Sequence, residues 1–166
     1  MRYSIDHINR LEKDPFVELL GWVFEHSPWV AEQAWVHRPF ASLTHLHQTM
    51  TQIVREKTAE EQVSLLRAHP DLATRLQMSE ISQLEQQGVG LDRLSPAEFN
   101  QFNSFNNAYV AKFNFPFIMA VRGQSKETIL SAMEKRLTNT LEAEHEQALQ
   151  EIYKITQFRL ADLLEA

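Results

Sequence analysis

The stretch Ser125–Leu164, SKETILSAMEKRLTNTLEAEHEQALQEIYKITQFRLADLL, runs for 40 residues without a glycine or a proline. Apolar residues recur in it at spacings of three and four, the period of an α-helix that buries one face. Ser125 stands where an N-cap is wanted and helix propensity drops at Asn139-Thr140, so the spacing predicts two helices divided there. In the second, Leu141, Ala148, Ile152, Ile155 and Leu163 form an apolar stripe. Such a stripe is stable only against other helices, and the rest of the chain supplies them.

Working back from Ser125, Val121-Arg122-Gly123 leads out of an aromatic segment, Phe113-Asn114-Phe115-Pro116-Phe117-Ile118, that cannot stay helical ahead of its proline. Before it, Ser95-Pro96-Ala97-Glu98 opens a helix to about Lys112, because Ser95 can bond the Glu98 amide while that carboxylate reaches back. Gly88-Val89-Gly90 stops a weaker helix at about Ser79–Gln87. Further upstream the spacing predicts helices from Ser4 to Leu11, from Asp14-Pro15 to about His26, and from Trp29 to Val36. Two more follow, from Thr44 to Lys57 and from Ala59 to Ala68. The whole chain holds only four glycines and six prolines. The expectation is an all-α, single-domain bundle of about eight helices over residues 1–166, with long C-terminal helices.

At 166 residues the chain can bury a core without staples, and 43% hydrophobic and 23% charged residues are ordinary for a globular protein. The absence of cysteine excludes disulfides, thiolate zinc sites and a cysteine nucleophile. A net charge of -6 and a pI near 5.6 leave no electrostatic footprint for nucleic acid. An anionic substrate would be repelled at long range, so its site must gather cations locally. No apolar run approaches the roughly 20 residues that span a bilayer. The first residues lack a secretory apolar region, and Leu164-Glu165-Ala166 is not a peroxisomal address. A cytoplasmic protein with no membrane partner is expected.

Four features carry possible chemistry. His69-Pro70-Asp71-Leu72 ends a helix, and proline pushes His69 out of the α region at a C-terminus whose partial negative charge favours imidazolium. His69 is then a candidate proton donor, although a solvent-facing turn without chemistry fits the same local sequence. Arg159 falls within the last apolar stripe, four after Ile155, where a guanidinium needs an anion from the protein or from a ligand. Ser82, Glu85 and Gln86 share one helical face and offer a hydroxyl, a carboxylate and an amide, suited to a urea or simply solvated. The break at Pro116 leaves backbone groups from Phe117 onward for a ligand, while the phenylalanines themselves plug the core. His37, His45 and His47 lack metal-ligand spacing, and no phosphate loop, nucleophile elbow or dinucleotide fingerprint occurs.

Taken in order, Ala68-His69-Pro70-Asp71-Leu72-Ala73, Ser82-x-x-Glu85-Gln86-x-x-x-Gly90-Leu91, Lys112-Phe113-x-Phe115-Pro116-Phe117-Ile118 with Val121-x-Gly123, and Arg159-Leu160 resemble the 2-oxo-4-hydroxy-4-carboxy-5-ureidoimidazoline (OHCU) decarboxylases. The resemblance includes Phe24-Glu25-His26-Ser27-Pro28-Trp29 and spans nearly the whole chain. It implies an all-helical, cofactor-independent and typically dimeric enzyme that releases carbon dioxide to give (S)-allantoin, the last step of urate oxidation. By motif match His69 and Glu85 are the catalytic residues. Pro70, Ser82, Gln83, Leu84, Glu85, Gln86, Phe117, Ile118, Met119, Ala120, Val121 and Arg159 line the substrate. Two positions depart from the family pattern: Asn114 replaces a usual glycine, and Val89 replaces a usual alanine.

The implied chemistry needs few parts. A carbanion beside the imidazoline carbonyl can delocalise onto oxygen, so no pyridoxal phosphate or thiamine is required. The protein must orient the carboxylate, stabilise enolate charge and deliver one proton to one face. Two non-catalytic readings remain: a helical module that binds a ureide or purine catabolite, and an interaction protein that pairs through its C-terminal helices. A metal-dependent hydrolase is the more distant alternative.

Overall fold

The computed structural model describes residues 2–69 and 95–165. They form two compact units, Met1–His69 with Ile152–Ala166 and Pro70–Glu151. The protein is all-α: among the described residues the elements are eight helices and one isolated parallel bridge, Tyr3 to Leu164. No described helix is long and apolar enough to cross a membrane. The helix expected at Ser79–Gln87 lies outside the described residues.

In the first unit, α1 (Ile5–Arg10) starts on Ser4, whose hydroxyl accepts from the His7 amide at 3.1 Å. Helix α2 (Lys13–Leu20) departs from expectation at both ends. Glu12 rather than Asp14 is its N-cap, and it stops at Leu20 instead of His26. Pro15 still falls in the first turn, where a missing N–H breaks no helical bond. Gly21 follows as the C-cap of α2, its amide still donating to the Val17 carbonyl at 2.6 Å, and a Cβ there would meet that oxygen at 2.5 Å. The Trp22 indole N–H then covers the Leu19 carbonyl at 2.8 Å. Residues 21–28 continue as turns, and His26 takes a positive φ of 56°.

Helices α3 (Trp29–Trp35), α4 (Leu43–Arg55) and α5 (Ala59–Ala68) lie within two residues of their expected bounds. Ser42 caps α4, and a Thr58–Glu61 capping box starts α5, each cap contributing about 1 kcal/mol. Asn9 holds the approach to α4 with a reciprocal pair: its amide donates to the Phe40 carbonyl at 2.9 Å and its oxygen accepts from the Phe40 amide at 2.7 Å. Ile8, Phe16, Leu20, Leu46, Met50, Val54 and Leu66 are buried in this unit, together with Ile155 and Leu160 of the last helix.

The second unit contains α6 (Pro96–Phe113), α7 (Lys126–Arg136) and the start of α8 (Leu141–Leu163). Ser95 and Glu98 make the expected capping box, and Ser125 caps α7. Helix α6 ends at Asn114, which is left-handed with φ 61° and ψ 25°. That explains the departure from glycine noted above, because asparagine is the side chain that best tolerates this conformation. Tyr109, Phe113, Phe115 and Phe117 then form one ring cluster with centroid separations of 4.7 to 6.0 Å.

The stripe on α8 is only partly as expected. Ala148, Ile152 and Ile155 are buried, but Leu141 is 58% exposed and Leu163 half-buried. Glu144 and Glu151 are buried instead, four before and three after Ala148. Hydrophobic spacing misses them because it reads a carboxylate as an outward residue, whereas here each meets buried donors.

Candidate active site

His69 is the C-cap of α5, with φ -80° and ψ 126°, the extended conformation expected ahead of Pro70. Its amide donates to the Leu66 carbonyl at 3.2 Å, and the residue is 4% exposed. The solvent-facing turn is therefore excluded: the imidazole is a buried group at a helix end. Pro70, Ser82, Gln83, Leu84, Glu85 and Gln86 lie outside the described residues, as does Val89.

Arg159 is 1% exposed in the first unit. Its guanidinium pairs with the Glu25 carboxylate, donates to the Val23 carbonyl at 3.3 Å and lies 5.8 Å from the Trp22 ring centroid. The turn after α2 thus has a function in placing this cation. Had α2 continued to His26, the Val23 carbonyl would be committed to the helix. Glu25 was quoted in the sequence motif, but nothing local in the sequence pairs it with a residue 134 positions away.

Phe117, Ile118, Ala120 and Val121 are buried and Met119 is half-buried. The segment is neither helical nor bridged to a strand. Two of its backbone groups are held by charged side chains of the second unit. The Ile118 carbonyl accepts from Arg136 Nη1 at 2.7 Å, and the Ala120 amide donates to Glu151 Oε1 at 3.1 Å. The expectation that amides from Ile118 to Val121 serve a ligand is thereby narrowed, since the Ala120 amide already has an acceptor.

Arg136 is fixed in turn. It pairs with Glu144 and lies 4.4 Å from the Phe117 ring centroid. Glu144 also accepts from the Tyr109 hydroxyl at 2.9 Å and from Asn139 Nδ2 at 3.0 Å. Burial pushes the Tyr109 phenol far above its ordinary range, against the pull of Arg136, so it stays a protonated donor. Gln147 Nε2 donates to the second oxygen of Glu151 at 2.9 Å. Sequence reasoning missed Arg136, Glu144 and Glu151. The signal available was the spacing of Glu144 and Glu151 around Ala148, the same signal that singled out Arg159.

The histidines set aside as metal ligands have other contacts. His45 Nδ1 accepts from the Ala41 amide at 3.0 Å, and with His37 it lines an open groove of about 490 Å³ along α4. His47 Nε2 meets Thr156 Oγ1 at 3.0 Å.

The family model for OHCU decarboxylase matches residues 9–161. The chain is 43% identical over 162 residues to the 2-oxo-4-hydroxy-4-carboxy-5-ureidoimidazoline decarboxylase of Halalkalicoccus jeotgali, covering 98% of this chain and 92% of that protein. It is also 43% identical over 162 residues to the uric acid degradation bifunctional protein PucL of Bacillus subtilis, covering 98% of this chain but 33% of the longer relative. Among solved structures, that of (S)-allantoin synthase matches with a TM-score of 0.80 at 30% identity, over 98% of this chain and 54% of that one. The chain belongs to the OHCU decarboxylase family.

Proposed function

We propose that residues 1–166 act as one decarboxylase domain, a carboxy-lyase that converts 2-oxo-4-hydroxy-4-carboxy-5-ureidoimidazoline to (S)-allantoin and carbon dioxide without a cofactor. The observation that carries the reading is His69: in a chain of this family, the imidazole of its His-Pro motif is buried at the end of α5.

The bond between ring carbon 4 and the carboxylate breaks, and carbon dioxide leaves. Its electron pair becomes a double bond between carbons 4 and 5, and the pair of the former carbon 5–nitrogen double bond moves onto that nitrogen. The 4-hydroxyl becomes the carbonyl of allantoin, its proton passing to that nitrogen. His69, as imidazolium, delivers the remaining proton to carbon 5, on one face, which creates the stereocentre carrying the ureido arm. General acid catalysis of this kind contributes about 10² to 10⁴ in rate.

The other groups orient. Arg159, held by Glu25, offers positive charge toward the substrate anion in a protein whose net charge is -6. Glu85 places the 4-hydroxyl or carboxylate, Ser82 and Gln86 hold the ureido arm, and Pro70, Gln83, Leu84 and Phe117 to Val121 shape the walls. The family resemblance also supports a cytoplasmic homodimer.

The test uses substrate generated from urate by the two preceding enzymes of the pathway, with the optical activity of allantoin followed over time. The protein is expected to accelerate formation of the (S) isomer. His69→Asn is expected to fold and to fall to the spontaneous background. Full stereoselective turnover in that variant would remove His69 from the mechanism, and no acceleration by the parent protein would leave a ureide-binding module.

A further inference from the structure

We propose that Glu151 and Arg136 are positioning residues for the reaction, which hold the Phe117–Val121 segment in place by its backbone. The inference rests on the decarboxylase reading, in which that segment lines the substrate.

A buried segment outside helix and sheet must find partners for its amides and carbonyls. Here two of them are met by full charges of opposite sign, Arg136 on the Ile118 carbonyl at 2.7 Å and Glu151 on the Ala120 amide at 3.1 Å. Burying ions is costly, and neutral side chains or water could satisfy the same atoms. What ions add is shorter, stronger and more directional bonding. Each is itself immobilised before it reaches the segment. Glu144 and the Phe117 ring hold Arg136, and Gln147 holds Glu151.

The two anchors also have a pattern. Ile118 and Ala120 flank Met119, the only half-buried residue of the five. The residue with surface to offer is therefore pinned on both sides by bonds to groups set deeper in the unit. Productive geometry must be kept within about 0.5 Å, and a side chain on a loose segment would not keep it. Glu151 and Arg136 act on the substrate only through this backbone.

Two substitutions of Glu151 in the full chain separate reach from charge. Glu151→Gln keeps an oxygen within reach of the Ala120 amide and removes the charge. Glu151→Asp keeps the charge and withdraws the oxygen by one methylene. With substrate generated in situ, Glu151→Gln, which keeps the contact but weakens it by removing the charge, is expected to lose about 2- to 5-fold in kcat/KM. Glu151→Asp is expected to lose about 10- to 100-fold in kcat/KM, chiefly through KM, at nearly unchanged melting temperature. Arg136→Lys, which gives up the planar fork, is expected to lose activity in the same way. Near-parental activity in Glu151→Asp, or in all three variants, overturns the proposal. So do losses in both Glu151 variants that merely track melting temperature. An inactive parent protein sinks the decarboxylase reading instead, so the two failures are distinguishable.

Discussion

Glu25 reaches Arg159 from the turn after α2, and Glu144 reaches Arg136 from the first turn of α8. Both pairs are withdrawn from water, so removing one partner strands the other charge. Such truncations cost about 3 to 5 kcal/mol, whereas an exposed pair such as Lys13–Glu32 contributes at most about 1. Glu25→Ala is therefore expected to lower the urea midpoint by an amount equivalent to about 3 kcal/mol, with Lys13→Ala nearly silent in the same assay. Tyr109 gives a spectroscopic counterpart. Because burial holds its phenol protonated, alkaline titration of the folded protein should show the same tyrosinate amplitude in Tyr109→Phe as in the parent. A smaller amplitude in the variant would place Tyr109 in contact with solvent.

At the scale of elements, the ends of α6 are set by two residues. Asn114 closes it in the left-handed region, so Asn114→Gly should leave the melting temperature almost unchanged while Asn114→Val costs about 1 to 2 kcal/mol. At the other end, the Ser95 amide and then Lys126 hold the Glu98 carboxyl below its ordinary pKa. A depressed carboxyl contributes stability above the unfolded value, and that contribution is lost as pH falls through the folded one. Thermal melts in mild acid should therefore show a steeper loss for the parent than for Glu98→Gln. These ends were legible in the sequence because each depends on residues within four positions of one another. The end of α2 was not, because residues 21–28 turn to bring Glu25 and the Val23 carbonyl to Arg159, 134 and 136 positions away.

At the scale of the whole molecule, the first unit joins distant parts of the chain through His47 of α4 and Thr156 of α8. Burial lowers the His47 pKa, opposed by its contact with the Tyr153 backbone. The unfolded chain then binds a proton more readily than the folded one between the ordinary histidine value, about 6.5, and the lower folded value. Stability should fall as pH drops through that window. Melting curves of the parent and His47→Gln across it should converge toward acid, and parallel curves would show that His47 is not the group responsible.

The sequence by itself determined the helical class, the caps at Ser4, Ser95 and Ser125, the break after Phe113, and the extended conformation of His69. It also carried the ordered motifs of the decarboxylase family. All of these follow from period, propensity and sterics over a few neighbouring residues. Only the tertiary structure decided what the charges of α8 meet. Glu144 and Glu151 face inward because Arg136, Tyr109, Gln147 and the Ala120 amide are there to meet them, and the tertiary structure supplied the partners, Glu25 and the Val23 carbonyl, for the Arg159 that the stripe already placed inward. A buried ion is tolerated only where its counter-ion arrives, and that arrival depends on how remote stretches of chain fold back, not on any local pattern.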